Sequence, residues 1–251
     1  GSDGLILIKK SDKADFFMEM YNADGSQGSM CGNGIRCVGK YVYDNGLTDK
    51  TEITVETLSG IKILQLYPGS DGKVKTVKVN MGAPILQPEQ IPADIHAFKN
   101  AEALKNVDKL VAQPISVDGK DYEVTCVSMG NPNCVIMLER VDREKALHLG
   151  PYVENAKYFP NRINMQLCQI VDEKNIQVEI YERGAGYTFA SGTGACAAAA
   201  ASHRLGLVED AVTVHMHGGD LFIEFEKDGR IFMTGPVVYI GKITVAEQFF
   251  A

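Results

Sequence analysis

The chain has 251 residues, of which 45% are hydrophobic, and this is enough for one large or two modest globular domains. Its formal net charge of −7 argues against nucleic acid and anionic membranes as main partners. No apolar run reaches the roughly 18 residues of a membrane span, and the first residues lack a signal-peptide pattern. The six cysteines have no C-x-x-C spacing, so we expect neither a disulfide scaffold nor a metal site, and a reduced, cytoplasmic setting is favoured.

Short runs rich in β-branched residues, separated by turn residues, predict that strands dominate the chain. The predicted strands span 5–8, 16–21, 52–56, 61–67 and 75–80 in the first part, and 122–127, 133–138, 164–170, 176–181, 212–216, 221–225 and 230–234 in the second. Two helices are predicted to begin after Cys31 and Ser191, and weaker helix candidates lie at 101–109 and 142–149.

One unit of the sequence occurs twice, at a constant spacing. Cys31-Gly32-Asn33-Gly34 begins a helical run that ends at Gly46, and Ser191-Gly192-Thr193-Gly194 begins one that ends at Gly206 (191 − 31 = 160; 206 − 46 = 160). The strands before them are also in register (179 − 19 = 160). The repeat predicts two similar α+β domains, 1–76 with the returning tail 237–251, and 77–236, with 85–120 as an insertion.

The second helix of the repeat is almost all alanine between residues 195 and 201. Alanine is a good helix former with little side-chain volume, and a helix without a polar face is normally buried on all sides. We therefore expect strands to wrap closely around this helix, although an ordinary interior helix would give the same pattern.

The starts of the two helices carry the candidate chemistry. A helix N-terminus has free N–H groups and a partial positive charge, so it binds anions, and glycines let a ligand approach closely. Two such ends aimed at one carboxylate would stabilise the charge that forms when the adjacent α-carbon loses its proton. Cys31, at the positive end of its helix, is a candidate proton acceptor and donor.

Several motifs together resemble the diaminopimelate epimerase family. They are Asn22-Ala23-Asp24-Gly25-Ser26, Met30-Cys31-Gly32-Asn33-Gly34-Ile35-Arg36-Cys37, Met129-Gly130-Asn131-Pro132, Glu182-Arg183-Gly184-Ala185-Gly186 and Gly192-Thr193-Gly194-Ala195-Cys196. Related proline racemases share Cys-Gly-x-Gly elements but not the Asn-Ala-Asp-Gly-Ser lead-in. The resemblance runs over nearly the whole chain and implies two pseudo-symmetric domains, each a curled, mostly antiparallel, barrel-like sheet around a central helix, with the site between them.

The resemblance implies a cofactor-independent, two-base epimerisation of LL- and meso-diaminopimelate, in lysine and peptidoglycan precursor synthesis. Cys31 and Ser191 fall on the two catalytic positions. The implied substrate-binding residues are Asn22, Gly32, Asn33, Asn131, Asn164, Glu182, Arg183, Gly192 and Thr193. The family also implies a small amino-acid substrate and a homodimer, with no metal. The Asn residues could instead cap turns, and Arg183 could simply pair with Glu182 or Glu179.

The chain departs from the family pattern at several positions. Ser191 replaces the second catalytic cysteine, and a hydroxyl is a far weaker acid than a thiol. Asn133 replaces a histidine, Tyr187 replaces a glutamate, and the leading Gly-Leu-Gly-Asn-Asp-Phe element is absent, which predicts a missing first segment. Three interpretations are open: an engineered Cys-to-Ser change at 191, a natural racemase or one-base isomerase of another amino acid, and an amino-acid-binding protein without turnover.

The remaining cysteines and histidines have plainer interpretations. Cys37, Cys126, Cys134 and Cys168 lie in apolar stretches and are predicted to be buried small hydrophobic residues. Cys196 lies too far along its helix to replace Ser191. The histidines show no metal-like grouping with carboxylates.

Overall fold

The computed structural model describes residues 4–104 and 109–244, together with 246 and 248. Its strands are β1 (Gly4–Lys9), β2 (Phe16–Asn22), β3 (Gln27–Gly28), β4 (Glu52–Thr57), β5 (Gly60–Pro68), β6 (Val74–Gly82), β7 (Gln113–Val117), β8 (Lys120–Ser128), β9 (Pro132–Met137), β10 (Asn164–Asp172), β11 (Asn175–Glu182), β12 (Gly186–Thr188), β13 (Ala211–His215), β14 (Leu221–Phe225) and β15 (Ile231–Pro236). The helices are α1 (Gly32–Asp44), α2 (Ala101–Leu104), α3 (Arg143–Glu154) and α4 (Gly192–Arg204), with 3₁₀ turns at Pro88–Gln90 and Ile95–Ala97. No helix in this described part of the chain is long and apolar enough to cross a membrane.

The strands form one curled, open sheet in the order β1-β2-β4-β5-β6-β15-β14-β13-β11-β10-β9-β8-β7. Its two halves repeat the same topology. In the first half β1 and β2 are antiparallel, α1 connects β2 to the parallel strand β4, and β5 and β6 follow antiparallel. In the second half β10, β11, α4, β13, β14 and β15 repeat this arrangement. The predicted α+β class and pseudo-symmetry are therefore confirmed.

The two halves of the sheet meet where β6 pairs antiparallel with β15. The two curled sheets expected from the family resemblance are thus one continuous sheet. The predicted domain boundary at residue 77 falls within β6, in the middle of this junction. The division into 1–76 with the tail and 77–236 stays a prediction.

The repeated helices lie inside the curled halves. On α1 the apolar residues Ile35, Val38 and Val42 are buried. On α4 the whole run from Ala195 to Ser202 is buried, because strands of the second half surround it. The expectation that strands wrap this alanine helix is confirmed.

The predicted insertion contains more structure than the sequence indicated. Its buried residues Ile91, Phe98 and Leu110 belong to a second hydrophobic cluster with β7–β10 and α3. Strand β7 was not predicted because Pro114 interrupts its pattern, and it lies at the edge of the sheet, where proline is tolerated. The helix predicted at 101–109 is seen as α2 up to Leu104, and residues 105–108 lie outside the described part.

Helix α3 differs from its prediction at both ends. Asp142 is its N-cap, with the side chain accepting a hydrogen bond from the Lys145 N–H. The helix continues through Pro151 to Glu154, whereas the sequence indicated an end at residue 149. Gly150-Pro151 resembles a helix stop, but burial of Val153 against the second cluster keeps the last turn in place.

The chain after β15 begins to return to the first half. The Val237 N–H donates to the Lys75 carbonyl at 3.1 Å. This bond continues the pairing of β15 with β6, and the assignment of the tail to the first domain stays a prediction. Residues 245, 247 and 249–251 lie outside the described part.

Candidate active site

The candidate site is built on the first turns of α1 and α4, which are capped in the same way. Cys31 and Ser191 are the N-caps, and both have extended backbones (φ −133°, ψ 116° and φ −142°, ψ 127°). The Cys31 Sγ accepts from the Gly34 N–H at 3.3 Å, and the Ser191 Oγ accepts from the Gly194 N–H at 3.2 Å. Each cap thus occupies the third N–H of its helix and leaves the first two for a ligand.

The two helix starts lie against each other. A β-carbon built on Gly32 would lie 3.6 Å from the Gly192 α-carbon, and 3.3 and 3.4 Å from the Cε atoms of Met233 and Met81. Glycine at both positions lets the helix backbones touch between these methionines. The partial positive charges of two helix N-termini therefore meet at one point.

A cleft of about 500 Å³ opens over this junction. It contains most of the predicted site residues: Asn22, Cys31, Gly32, Asn33, Asn131, Glu182, Ser191, Gly192 and Thr193. Residues of both halves therefore line one cavity. Asn164 and Arg183 were predicted with this set, but they do not line the cleft.

Asn164 and Arg183 instead hold the turn after β11. The Asn164 Oδ1 accepts from the Arg183 backbone N–H at 2.8 Å. The Arg183 side chain is exposed and donates to the Asn161 carbonyl at 3.0 Å, not to Glu182 or Glu179. Their substrate-binding roles stay predictions, and in this conformation both residues support the loop that presents Glu182.

Asn133, where the family resemblance implies histidine, is the centre of a buried amide network. Its Nδ2 donates to the Asn131 carbonyl at 2.7 Å and to the Asn131 Oδ1 at 3.1 Å. Its Oδ1 accepts from the Asn164 Nδ2 at 3.2 Å and from the Gln166 Nε2 at 3.0 Å. A side chain that is fully buried and saturated with hydrogen bonds acts here as a structural connector.

Asn131 and Asn22 line the cleft from the second and the first half of the sheet. The Asn131 Nδ2 donates to the Thr193 Oγ1 at 3.1 Å, which ties the turn before β9 to the first turn of α4. Asn22 begins a turn, and its Nδ2 donates to the Ser26 Oγ at 2.9 Å. Asn22 therefore has the turn role that is common for asparagine, Asn131 connects two elements, and both line the cleft.

The surroundings of Ser191 contain no proton relay among the described side chains. Its Oγ lies 3.4 Å from the Thr193 Oγ1 and has no hydrogen bond to an acidic or basic side chain of the described chain. Tyr187 is directed elsewhere, because its hydroxyl donates to the Glu179 Oε2 at 2.6 Å. Burial, followed by the nearby Glu179 carboxylate, raises the pKa of Tyr187 to about 12. The catalytic role of Ser191 stays a prediction, and no activating side chain accompanies it among the described residues.

Sequence reasoning missed two cationic residues near the site, Arg36 and Lys62. Arg36 is buried, and its Nη1 donates to the Gly32 carbonyl at 3.2 Å and to the Asn33 Oδ1 at 3.0 Å. Burial lowers the pKa of its guanidinium. The sequence could have indicated Arg36, because it is a charged residue on the inner face of α1, in Gly34-Ile35-Arg36-Cys37. Lys62 lines the cleft from β5.

The other thiols are mostly as expected. Cys126, Cys134, Cys168 and Cys196 are buried, and burial raises the pKa of both Cys168 and Cys196 to about 12. The prediction was wrong for Cys37, which is exposed because it lies on the outer face of α1. In the described part of the chain, no three His, Cys, Asp or Glu side chains form a group that could hold a metal.

Comparison with solved structures agrees with this architecture. A phenazine biosynthesis protein of the PhzF family from Bacillus anthracis matches with a TM-score of 0.66 at 18% identity, covering 98% of this chain and 85% of that one. A hydroxyproline epimerase from Agrobacterium vitis matches with a TM-score of 0.67 at 13% identity, covering 94% and 73%. These similarities define the fold class, two pseudo-symmetric halves with a helix inside each.

Sequence comparison gives the family. The diaminopimelate epimerase family model matches residues 1–87 and 125–240, which leaves out much of the predicted insertion. The diaminopimelate epimerase of Acetivibrio thermocellus is 49% identical over 252 aligned positions, covering 98% of this chain and 85% of the relative. That of Agathobacter rectalis is 46% identical and covers 98% and 86%. The chain belongs to the diaminopimelate epimerase family.

Proposed function

We propose that this chain is an isomerase that inverts an α-carbon of diaminopimelate without pyridoxal phosphate, interconverting the LL and meso forms. The observation that carries the proposal is the meeting of two helix N-termini, at Gly32 and Gly192, in a cleft that also contains Cys31. Membership of the diaminopimelate epimerase family supports the choice of substrate.

In the proposed mechanism the carboxylate beside the reacting carbon accepts hydrogen bonds from the first N–H groups of α1 and α4. The Cys31 thiolate removes the α-proton, so that a C–H bond breaks and an S–H bond forms. The electron pair moves into the carboxylate, whose second negative charge is stabilised by both helix ends. Glu182, which lines the same cleft, would bind the substrate amino group.

The proton that completes inversion must arrive on the other face, on the side of Ser191. The Ser191 hydroxyl has no activating partner among the described residues, so it would hold the substrate and leave protonation to a slower donor such as water. We therefore propose that this chain exchanges the α-proton faster than it inverts the carbon.

The test is incubation of LL-diaminopimelate with the protein in deuterium oxide, with chiral analysis of the product. Exchange with slower inversion supports the proposal. Exchange without any inversion would favour a one-base isomerase, and inversion of another amino acid in a panel would favour a changed racemase. An amino-acid-binding protein would bind the substrate and show no exchange.

The cellular compartment of the enzyme is also a proposal. Six free cysteines agree with a reduced, cytoplasmic compartment.

A homodimer is proposed from the family resemblance, and sedimentation velocity would test it. The two-domain division at residue 77 is tested by differential scanning calorimetry: two unfolding transitions would support it, and a single transition would favour one cooperative unit across the β6–β15 junction.

A further inference from the structure

Arg36 is a buried charge that the proposed mechanism does not use. Its side chain lies on the inner face of α1, and only 7% of the residue is exposed. It is not among the residues that line the cleft, so it would not touch a bound substrate. Its counterpart in the repeat is Cys196 of α4 (196 − 36 = 160). The buried charge is therefore specific to the helix that begins after Cys31.

The partners of the Arg36 guanidinium are all neutral. Its Nη1 donates to the Gly32 carbonyl at 3.2 Å and to the Asn33 Oδ1 at 3.0 Å, and the Met233 Sδ lies 3.9 Å away. Its Nε is buried and has no hydrogen-bond partner in the described part of the protein. No described carboxylate forms an ion pair with it. Burying a charge without a counter-charge is unfavourable, and a nearby anion would offset that cost.

Two of these partners also touch the junction of the helices. The Asn33 Oδ1 and the Met233 Sδ lie 3.4 and 3.2 Å from the position of a β-carbon on Gly192, at the start of α4. A single layer of side-chain atoms therefore separates the guanidinium from the junction. Arg36 thus adds a full positive charge close to the place where the partial charges of two helix N-termini meet.

Three thiols lie within electrostatic range of this charge. Burial lowers the pKa of Arg36, and its interactions with Cys37, Cys31 and Cys196 act in the opposite direction. Cys37 is exposed on the outer face of α1, and burial keeps Cys196 neutral by raising its pKa to about 12. Cys31 is the one of the three that lines the cleft. Its thiolate would be the counter-charge that Arg36 lacks.

We propose that Arg36 is a positioning residue for the proton transfer, acting through Cys31 and the first turn of α1. Its charge favours the thiolate of Cys31, and its hydrogen bonds hold Gly32 and Asn33 in the turn that receives the substrate carboxylate. When the C–H bond breaks and the S–H bond forms, the negative charge moves from sulfur into that carboxylate, and Arg36 is close to both. The inference rests on the proposed function and deepens it, because it gives this buried charge a role in the reaction.

The first test does not depend on turnover. It follows alkylation of Cys31 by iodoacetamide as a function of pH, with the modified peptide identified by mass spectrometry. Arg36→Gln keeps a hydrogen-bond donor but removes the charge, and it should move the pH midpoint of alkylation upward by about one unit. Arg36→Lys keeps the charge and should leave the midpoint nearly unchanged.

The controls separate the charge of Arg36 from other charges. Arg204→Gln, at an exposed arginine in the last turn of α4, should not change the midpoint. The other charged side chains that line the cleft with Cys31 are Lys62 from β5 and Glu182 from β11, and both are present in every variant. A shift in Arg36→Gln alone therefore reports the guanidinium.

The second test is the pH profile of α-proton exchange with LL-diaminopimelate in deuterium oxide. In Arg36→Gln the exchange rate should fall by about 10-fold near neutral pH and recover as the pH rises, because the thiolate forms later. A purely structural role would lower the rate equally at every pH. Arg36→Met is a second neutral variant, and in thermal denaturation it should be at least as stable as wild type because an unpaired buried charge is removed.

An unchanged alkylation midpoint in Arg36→Gln and Arg36→Met would overturn the proposal, as would an equal shift in Arg204→Gln. The proposed function fails separately, if the wild-type protein shows no exchange with diaminopimelate. A shifted midpoint without wild-type exchange would leave the effect of Arg36 on Cys31 in place. Wild-type exchange with an unchanged midpoint would remove only the role of Arg36.

Discussion

A β-carbon on Gly192 would lie 3.4 Å from the Gly32 α-carbon, so α1 and α4 touch backbone to backbone at their first turns. The contact joins residues 160 positions apart (192 − 32 = 160) and lies between the two halves of the sheet. The anion-binding ends of two helices are therefore fixed relative to each other. This geometry makes the glycines the most direct place to perturb the cradle without touching Cys31.

Gly192→Ala should reduce turnover far more than stability. The added methyl would lie 3.2 Å from the Met233 Sδ and 3.4 Å from the Asn33 Oδ1, so these side chains and the helix starts must shift by a few tenths of an ångström. Because misplacement of this kind can cost about 10²-fold in rate, kcat/KM should fall by roughly 10–100-fold. Gly46→Ser, past the exposed end of α1, is the control, because it alters the same helix at the end away from the cradle. Equal activity of Gly192→Ala and wild type would argue against a shared cradle.

Substitutions at Ser191 should separate capping from chemistry. Ser191→Ala removes the acceptor for the Gly194 N–H and should lower the free energy of unfolding by about 0.5–2 kcal/mol. Ser191→Cys keeps an acceptor and adds a thiol, so it should raise the rate of inversion by about 10²-fold with little change in stability. Chemical denaturation and chiral product analysis measure the two effects. A slower Ser191→Cys enzyme would contradict the assignment of this position.

Replacing Asn133 should destabilise the protein. Asn133→Leu leaves the Asn164 Nδ2 and the Gln166 Nε2 without their acceptor in a buried site, at a cost of about 2–5 kcal/mol. Gln90→Leu, at an exposed position, should have almost no effect. Urea denaturation of both variants tests this, and a loss below about 1 kcal/mol for Asn133→Leu would show that the network is not important for stability.

Much of the fold could be predicted because it depends on local patterns. The repeat around Cys31 and Ser191 and the alanine run of α4 indicated two halves with a helix in each, and the β-branched runs gave most strand positions. The pairing of β6 with β15 could not be predicted, because register between distant strands depends on tertiary packing. Strand β7 was not predicted, because Pro114 interrupts its strand pattern.

The site was predicted from motifs, but its cationic residues Arg36 and Lys62 were not. The helix starts and Cys31 were recognisable from glycine spacing, whereas Lys62 lies in an ordinary strand pattern. Its place in the cleft depends on the inward face of β5, which only the three-dimensional structure reveals. The inward direction of Asn164 toward Asn133, rather than toward the cleft, likewise depends on the pairing of β9 with β10.

Stability should fall at alkaline pH because of the buried thiols. Burial raises the pKa of Cys196 to about 12 in the folded state, while an unfolded thiol titrates near 8.5–9. Between about pH 9 and 12 the unfolded state therefore binds fewer protons, and each such thiol lowers the free energy of unfolding by up to about 1.4 kcal/mol per pH unit. Cys196→Ala should reduce this slope in denaturation measured from pH 8 to 10.5. The same slope in both proteins would contradict it.

The most direct test of the account is α-proton exchange by Cys31 variants. LL-diaminopimelate is incubated in deuterium oxide, and incorporation is followed by mass spectrometry. The wild-type protein should exchange the α-hydrogen, and Cys31→Ala should lose this activity by at least about 10²-fold. Cys31→Ser, which keeps a cap for the Gly34 N–H, should be equally inactive while remaining as stable as wild type. Exchange that persists in Cys31→Ala, or that is absent from the wild type, would contradict the central role of Cys31 at the paired helix starts.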